Sequence, residues 1–114
     1  MYIGIDLHSD CFTCCYLKEG KRNEQITFTL DTDGIRCFLS TVTPYTYVMV
    51  EASTNTFKFV ERIKENVEDV LIANTHKLKL ISLVKKKTDK IDAEKLALVL
   101  NMQFESCGIL FTLE

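Results

Sequence analysis

The sequence predicts an α/β domain: a mixed sheet whose first three strands form an antiparallel meander, extended by parallel strands, with helices on its faces. Three observations carry this. Three β-prone segments lie within residues 1–30, separated only by short polar loops, which suit hairpins and are too short for parallel crossovers. Beyond residue 30, helical and extended patterns alternate, as they do when helices connect strands of one sheet. The two later extended runs, 47–50 (YVMV) and 70–73 (VLIA), are continuously apolar, as strands covered on both faces must be.

Element by element, 2–6 (YIGID) is a short apolar strand ending on an acid, and 11–17 (CFTCCYL) is a β-branched, aromatic and thiol-rich second strand. A polar turn at 18–23 (KEGKRN) leads to 25–30, where Ile26, Phe28 and Leu30 alternate with polar residues in half-buried strand periodicity. Asp31, Thr32 and Asp33 offer capping oxygens ahead of a short amphipathic helix bearing Ile35, Phe38, Leu39 and Val42, with Pro44 as its stop. After the strand at 47–50, Ser53 and Thr54 can cap a helix with apolar positions Phe57, Val60, Ile63 and Val67. The strand at 70–73 precedes a lysine-rich stretch, and 89–102 returns to helical spacing through Ile91, Leu96, Val99 and Leu100. The expected order is β-β-β-α-β-α-β-α. Residues 108–113 (GILFTL) read as a further strand or an adhesive apolar tail, and Leu113-Glu114 as a cloning scar.

A chain of 114 residues suits one domain with its own core, and 46% hydrophobic content excludes wholesale disorder. One Pro and four Gly exclude collagen-like and linker-like chains. No apolar run reaches the roughly 18–20 residues of a membrane span, and residues 1–10 lack a signal-peptide plan. Five cysteines, an odd number, imply no disulfide framework and point to a reducing cytoplasm. The net charge of -2 hides an asymmetry. Residues 1–75 hold 7 basic and 11 acidic side chains, whereas 76–95 hold 7 Lys against 3 acids. Such a stretch can meet a polyanion locally, and its bland reading is a solvated helix face.

Four acids stand out. Asp6 ends one apolar strand and Glu51 follows another, places where an ionised carboxylate is costly unless it is paired or binds metal. Asp89 and Asp92 share one face at the start of the last predicted helix, where the helix terminus favours anions. If the strands of Asp6 and Glu51 are neighbours and that helix packs across them, four carboxylates converge, and a divalent cation is the usual resolution of their repulsion. Oxygen-only ligands suit Mg²⁺ or Mn²⁺ rather than Zn²⁺, and a pair of such ions serves phosphoryl transfer. Singly these residues read as a helix cap, a surface acid or a turn. Their conjunction with Lys85, Lys86, Lys87 and Lys90 favours the metal reading.

The segments YIGIDLHSD (2–10), VMVEAS (48–53), Asn74-Thr75-His76 and KKTDKIDAEKLA (86–97) resemble the N-terminal domain of insertion-sequence transposases related to Piv-type DNA invertases. The resemblance covers about residues 1–100. It implies a ribonuclease H-like, resolvase-like fold with an Asp-Glu-Asp-Asp metal site falling on Asp6, Glu51, Asp89 and Asp92. It implies metal-dependent DNA strand cleavage and transfer with Mg²⁺ or Mn²⁺. DNA, a guide RNA in longer members and a second copy of the chain are the implied partners, in a prokaryotic cytoplasm and without a membrane. Full-length members continue into a second domain that supplies a serine nucleophile. The expectation is therefore a metal-binding half at 1–102, inactive alone, followed by a tail at 103–114 where a truncated piece ends.

Other features are read more plainly. Cys11 and Cys14, three apart in a strand, point to opposite faces and are core or surface thiols. His8 could line the site or be an ordinary loop residue. His76, just past the 70–73 strand, lies toward the edge where open α/β sheets bind ligands, and is a candidate nucleic-acid contact. Lys85, Lys86, Lys87 and Lys90 are candidates for phosphate contacts that position nucleic acid without reading sequence. Phe57, Phe59 and Phe104 read as core. The competing functions are an inactive nucleic-acid or protein interaction module of the same fold, and a phosphate-binding domain of the actin and sugar-kinase type. The latter expects small residues after the first strand's Asp, where this chain has Leu7 and His8.

Overall fold

The computed structural model describes residues 1–17, 24–74 and 79–82. They form β1 (Tyr2–Leu7), β2 (Cys11–Leu17), β3 (Glu24–Thr29), α1 (Thr32–Leu39), β4 (Tyr47–Glu51), α2 (Thr56–Ile63) with a 3₁₀ turn at Lys64–Asn66, β5 (Asp69–Asn74) and β6 (Lys79–Ser82). One mixed sheet holds all six strands in the order β3-β2-β1-β4-β5-β6. The meander is antiparallel, with Ile5 opposite Cys14 and Cys14 opposite Ile26. β4 runs parallel to β1, with Ile5 beside Val50, and β5 runs parallel to β4. The α/β class and the parallel extension of the meander are as expected. β6 was not: it returns antiparallel to β5, with Ile72 opposite Ile81, inside a stretch read as lysine-rich. The predicted helix at 89–102 and the tail at 103–114 lie outside the described residues.

Period-2 alternation divides the sheet into two faces. Ile3, Ile5, Phe12, Cys14, Tyr16, Val48, Val50, Val70 and Ile72 face α1 and α2, whose Ile35, Phe38, Phe59, Val60 and Ile63 complete one core cluster. Phe12 is its centre, with ring centroids 5.4 Å from Phe28, 5.5 Å from Phe38 and 5.0 Å from Phe59. One aromatic therefore ties two strands to both helices. Such ring pairs add roughly 0.5–1.5 kcal/mol each beyond area burial. On the other face Cys15, Met49, Leu71 and Ala73 are buried as well.

Local chemistry sets the helix ends. Asp31 caps α1 by accepting from the Gly34 N–H at 2.7 Å, as its position ahead of the helix predicts. The helix stops at Leu39, five residues before Pro44. Ser40 and Thr41 hydroxyls donate back to the carbonyls of Cys37 and Phe38, both at 2.6 Å, and satisfy the last turn without a proline. α2, which starts after an Asn55 N-cap, departs from expectation in its buried face, made of Thr56, Phe59, Val60 and Ile63. Phe57 is 57% exposed rather than core, and Val67 is buried but extended.

Candidate functional site

β1 and β4 place the first two predicted site residues together. Asp6 and Glu51 each follow the paired residues Ile5 and Val50, so they lie side by side at the ends of adjacent parallel strands. Because Ile5 and Val50 face the helices, Asp6 and Glu51 share the opposite face. Neighbouring strands stand about 4.8 Å apart, so the two carboxylates project from backbone positions at roughly that separation. Both are exposed. Like charges directly across a strand pair destabilise it by roughly 0.2–1 kcal/mol, a cost that a bound cation would reverse.

Glu51 is held from below by a buried hydroxyl. The Thr56 Oγ1 donates to the Glu51 carbonyl at 2.7 Å and accepts from the Ser53 N–H at 2.8 Å. The Ser53 hydroxyl lies 2.9 Å from the same oxygen, and Thr56 is fully buried. The Ala52 N–H donates to the Ala73 carbonyl at 2.9 Å, so β4 stays stitched to β5 one residue past Glu51. The loop that turns into α2 thus fixes the backbone from which the Glu51 carboxylate extends. Ser53 was expected to be a helix cap; its role is in this turn. Thr56 was not singled out from the sequence, although a Thr five residues after a strand-ending acid and three after a Ser is a legible turn signal.

Asp6 has a different neighbour. His8 Nε2 stands 3.2 Å from Asp6 Oδ2, with both side chains about half exposed (49% and 52%). The hairpin that carries His8 closes through the His8 N–H donating to the Cys11 carbonyl at 2.9 Å. Cys11 and Cys14 do point to opposite faces: Cys11 is half-buried beside this hairpin and Cys14 is in the core. Burial pushes the Cys14 thiol far above its ordinary range, so it is an inert core group. The Cys11 thiol is also raised, by desolvation first and then by Asp10 and Asp6.

Asp89, Asp92, Lys85, Lys86, Lys87, Lys90 and His76 lie outside the described residues. Among the described residues, no three His, Cys, Asp or Glu side chains gather as a metal-holding group. No helix among them is long and apolar enough to cross a membrane. The described part is thus a mixed α/β sheet domain with a carboxylate pair where two parallel strands end, the edge at which open α/β sheets bind ligands. No family model matches this chain, and no curated protein matches it.

Proposed function

We propose that this chain is a divalent-metal-binding, nucleic-acid-processing domain of the ribonuclease H-like type, the metal-binding half of a DNA transposase. The carrying observation is the placement of Asp6 and Glu51 side by side at the ends of β1 and β4, on the face away from α1 and α2. The strand order β3-β2-β1-β4-β5, with its antiparallel meander and parallel extension, agrees with the order expected of that fold.

The second sheet face also supports the reading. Met49, Leu71 and Ala73 make it apolar, and an apolar face needs a packing layer. The amphipathic pattern at 89–102 is suited to form that layer, which would bring Asp89 and Asp92 toward Asp6 and Glu51. The donors fit a hard cation: two exposed carboxylates, with the half-exposed His8 imidazole beside Asp6 as the one neighbouring nitrogen described. Mg²⁺ or Mn²⁺ held there would supply charge stabilisation to the oxygens of a transferring phosphoryl group. Asp6 and Glu51 would hold the ion, Thr56 would keep Glu51 in place, and Lys85, Lys86, Lys87 and Lys90 would neutralise the DNA backbone.

Thermal unfolding of the chain with and without millimolar Mn²⁺ tests the site, because a ligand that binds only the native state raises Tm. The expected outcome is a rise in wild type that Asp6→Asn and Glu51→Gln abolish. Divalent-dependent cleavage of DNA by the longer protein separates an enzyme from an inactive module of the same fold.

A further inference from the structure

The acids belong to a longer row. Thr13 pairs with Asp6 across β1 and β2 and with Thr27 across β2 and β3, so Thr27, Thr13, Asp6 and Glu51 line one level of one sheet face. The Thr13 and Thr27 Oγ1 atoms are 3.0 Å apart. One hydroxyl donates to the other, which leaves a single O–H proton to offer outward. Thr13 is half-buried and Thr27 exposed, and β3 is the edge strand on this side.

We propose that the Thr13–Thr27 pair is a binding subsite for a phosphodiester of the nucleic-acid strand processed at Asp6 and Glu51. Its outward hydroxyl donates to a non-bridging phosphate oxygen. The assignment rests on the nucleic-acid reading of the acid pair and extends it to a substrate contact. Three features favour it. Phosphate oxygens accept hydrogen bonds only, which matches a pair with one donor to spend. A neutral donor also suits this location, since a lysine beside Asp6 and Glu51 would pair with them and compete with a cation. Finally, Gln25 and Thr27, the β3 residues of this face nearest the pair, are uncharged, and the strand's one carboxylate, Glu24, alternates to the other face. Thr27 stands two strand spacings, roughly 10 Å, from Asp6, so a strand crossing the row would meet the acids and the hydroxyls in turn.

The test is fluorescence anisotropy of a labelled single-stranded DNA oligonucleotide with the 114-residue chain in Mn²⁺. Val keeps the β-branched shape that a strand favours, so Thr13→Val/Thr27→Val removes hydroxyls with little change to the sheet. Thr27→Val alone, at the exposed edge position, is the second variant, and circular dichroism checks both. Losing one such hydrogen bond should weaken binding by roughly three- to tenfold, while Thr13→Ser/Thr27→Ser binds as wild type. A single methylphosphonate walked along the oligonucleotide should weaken wild type at one position and leave the Val variant indifferent there. Folded Val variants that bind as tightly as wild type, with no methylphosphonate position telling them apart, would overturn the subsite. In that case, loss of Mn²⁺-stimulated binding in Asp6→Asn would leave the acid site standing. Wild type that binds no oligonucleotide at millimolar concentration overturns both.

Discussion

At the proposed cation site, the two carboxylates of Asp6 and Glu51 oppose folding. Two exposed carboxylates on adjacent strands repel, and nothing described beside Glu51 offsets its charge. Glu51→Gln, which leaves the Asp6–His8 contact in place, should therefore raise metal-free stability by about 0.2–1 kcal/mol, read as a higher denaturation midpoint at unchanged slope, and Asp6→Asn, which loses that contact, should raise it less. The same variants should lose the Mn²⁺-dependent rise in Tm. A metal-free midpoint at or below wild type would show that the two charges do not oppose each other. Asp31 behaves in the opposite way. The Gly34 N–H, then the Thr29 hydroxyl, hold its carboxyl below the usual carboxylate range. A depressed folded value means its stabilisation is present above the unfolded value and is lost as pH falls through the folded one. Asp31→Ala should flatten that acid limb of stability in a pH series of thermal melts, while the neutral-pH Tm falls through loss of the cap. Tyr16 marks the alkaline side. Burial, partly offset by its hydrogen bond to Thr41, pushes its phenol up to about 12. Its contribution is present below the ordinary tyrosine range near 10 and is lost as pH rises toward 12.

Among the elements, α1 and α2 are pinned in different ways. α1 approaches β3 so closely at Gly34 that an added Cβ would lie 1.8 Å from the Thr29 carbonyl oxygen. Backbone cannot yield there as a flexible side chain would, so Gly34→Ala should displace the helix and cost more than the roughly 1–3 kcal/mol typical of overpacking. Urea denaturation checks this, and a variant as stable as wild type would mean the helix can slide. α2 hangs from Thr56. Replacing it with Val strands the Ser53 N–H and a lone pair of the Glu51 carbonyl, at about 1–3 kcal/mol, whereas Ser retains both bonds. The inward face of α2 shows why helical periodicity misled. Counting apolar residues selects Phe57, Val60 and Ile63, but the buried set is Thr56, Phe59, Val60 and Ile63. A hydroxyl that saturates its hydrogen bonds within one turn is cheap to bury, and Phe57 is left outside. The end of α1 is similar, since Ser40 and Thr41 complete the last turn before Pro44 is reached.

For the whole molecule, the lysine-dense stretch and the acid row make a joint expectation. Four phosphate contacts from Lys85, Lys86, Lys87 and Lys90 imply a log–log salt slope of about -3 to -4 for duplex binding. Replacing the four with Gln should flatten that slope, as measured by salt titration of DNA affinity. An unchanged slope would make the stretch a solvated face and leave the nucleic-acid reading resting on the acids.

The strands were legible because their determinants are local. Apolar runs, polar turns and Pro or Gly punctuation act over a few residues, so five of the six strands and both α-helices among the described residues follow from them. β6 has a weaker local signal: only Leu80 and Ile81 are apolar in this four-residue strand, and the segment around it is lysine-rich. The sequence also named Asp6 and Glu51 as costly acids at strand ends. That they are neighbours is a matter of register, because a parallel pairing slipped by one residue would put one of them into the core. Only the buried contacts of Ile3 and Ile5 with Val48 and Val50 against the helices fix that register. The row from Thr27 to Glu51 depends on pairings between residues far apart in the chain, and Thr56 became a support for Glu51 only when the turn closed. Sequence by itself determined which residues form strands and which acids are anomalous; long-range packing decided which of them meet.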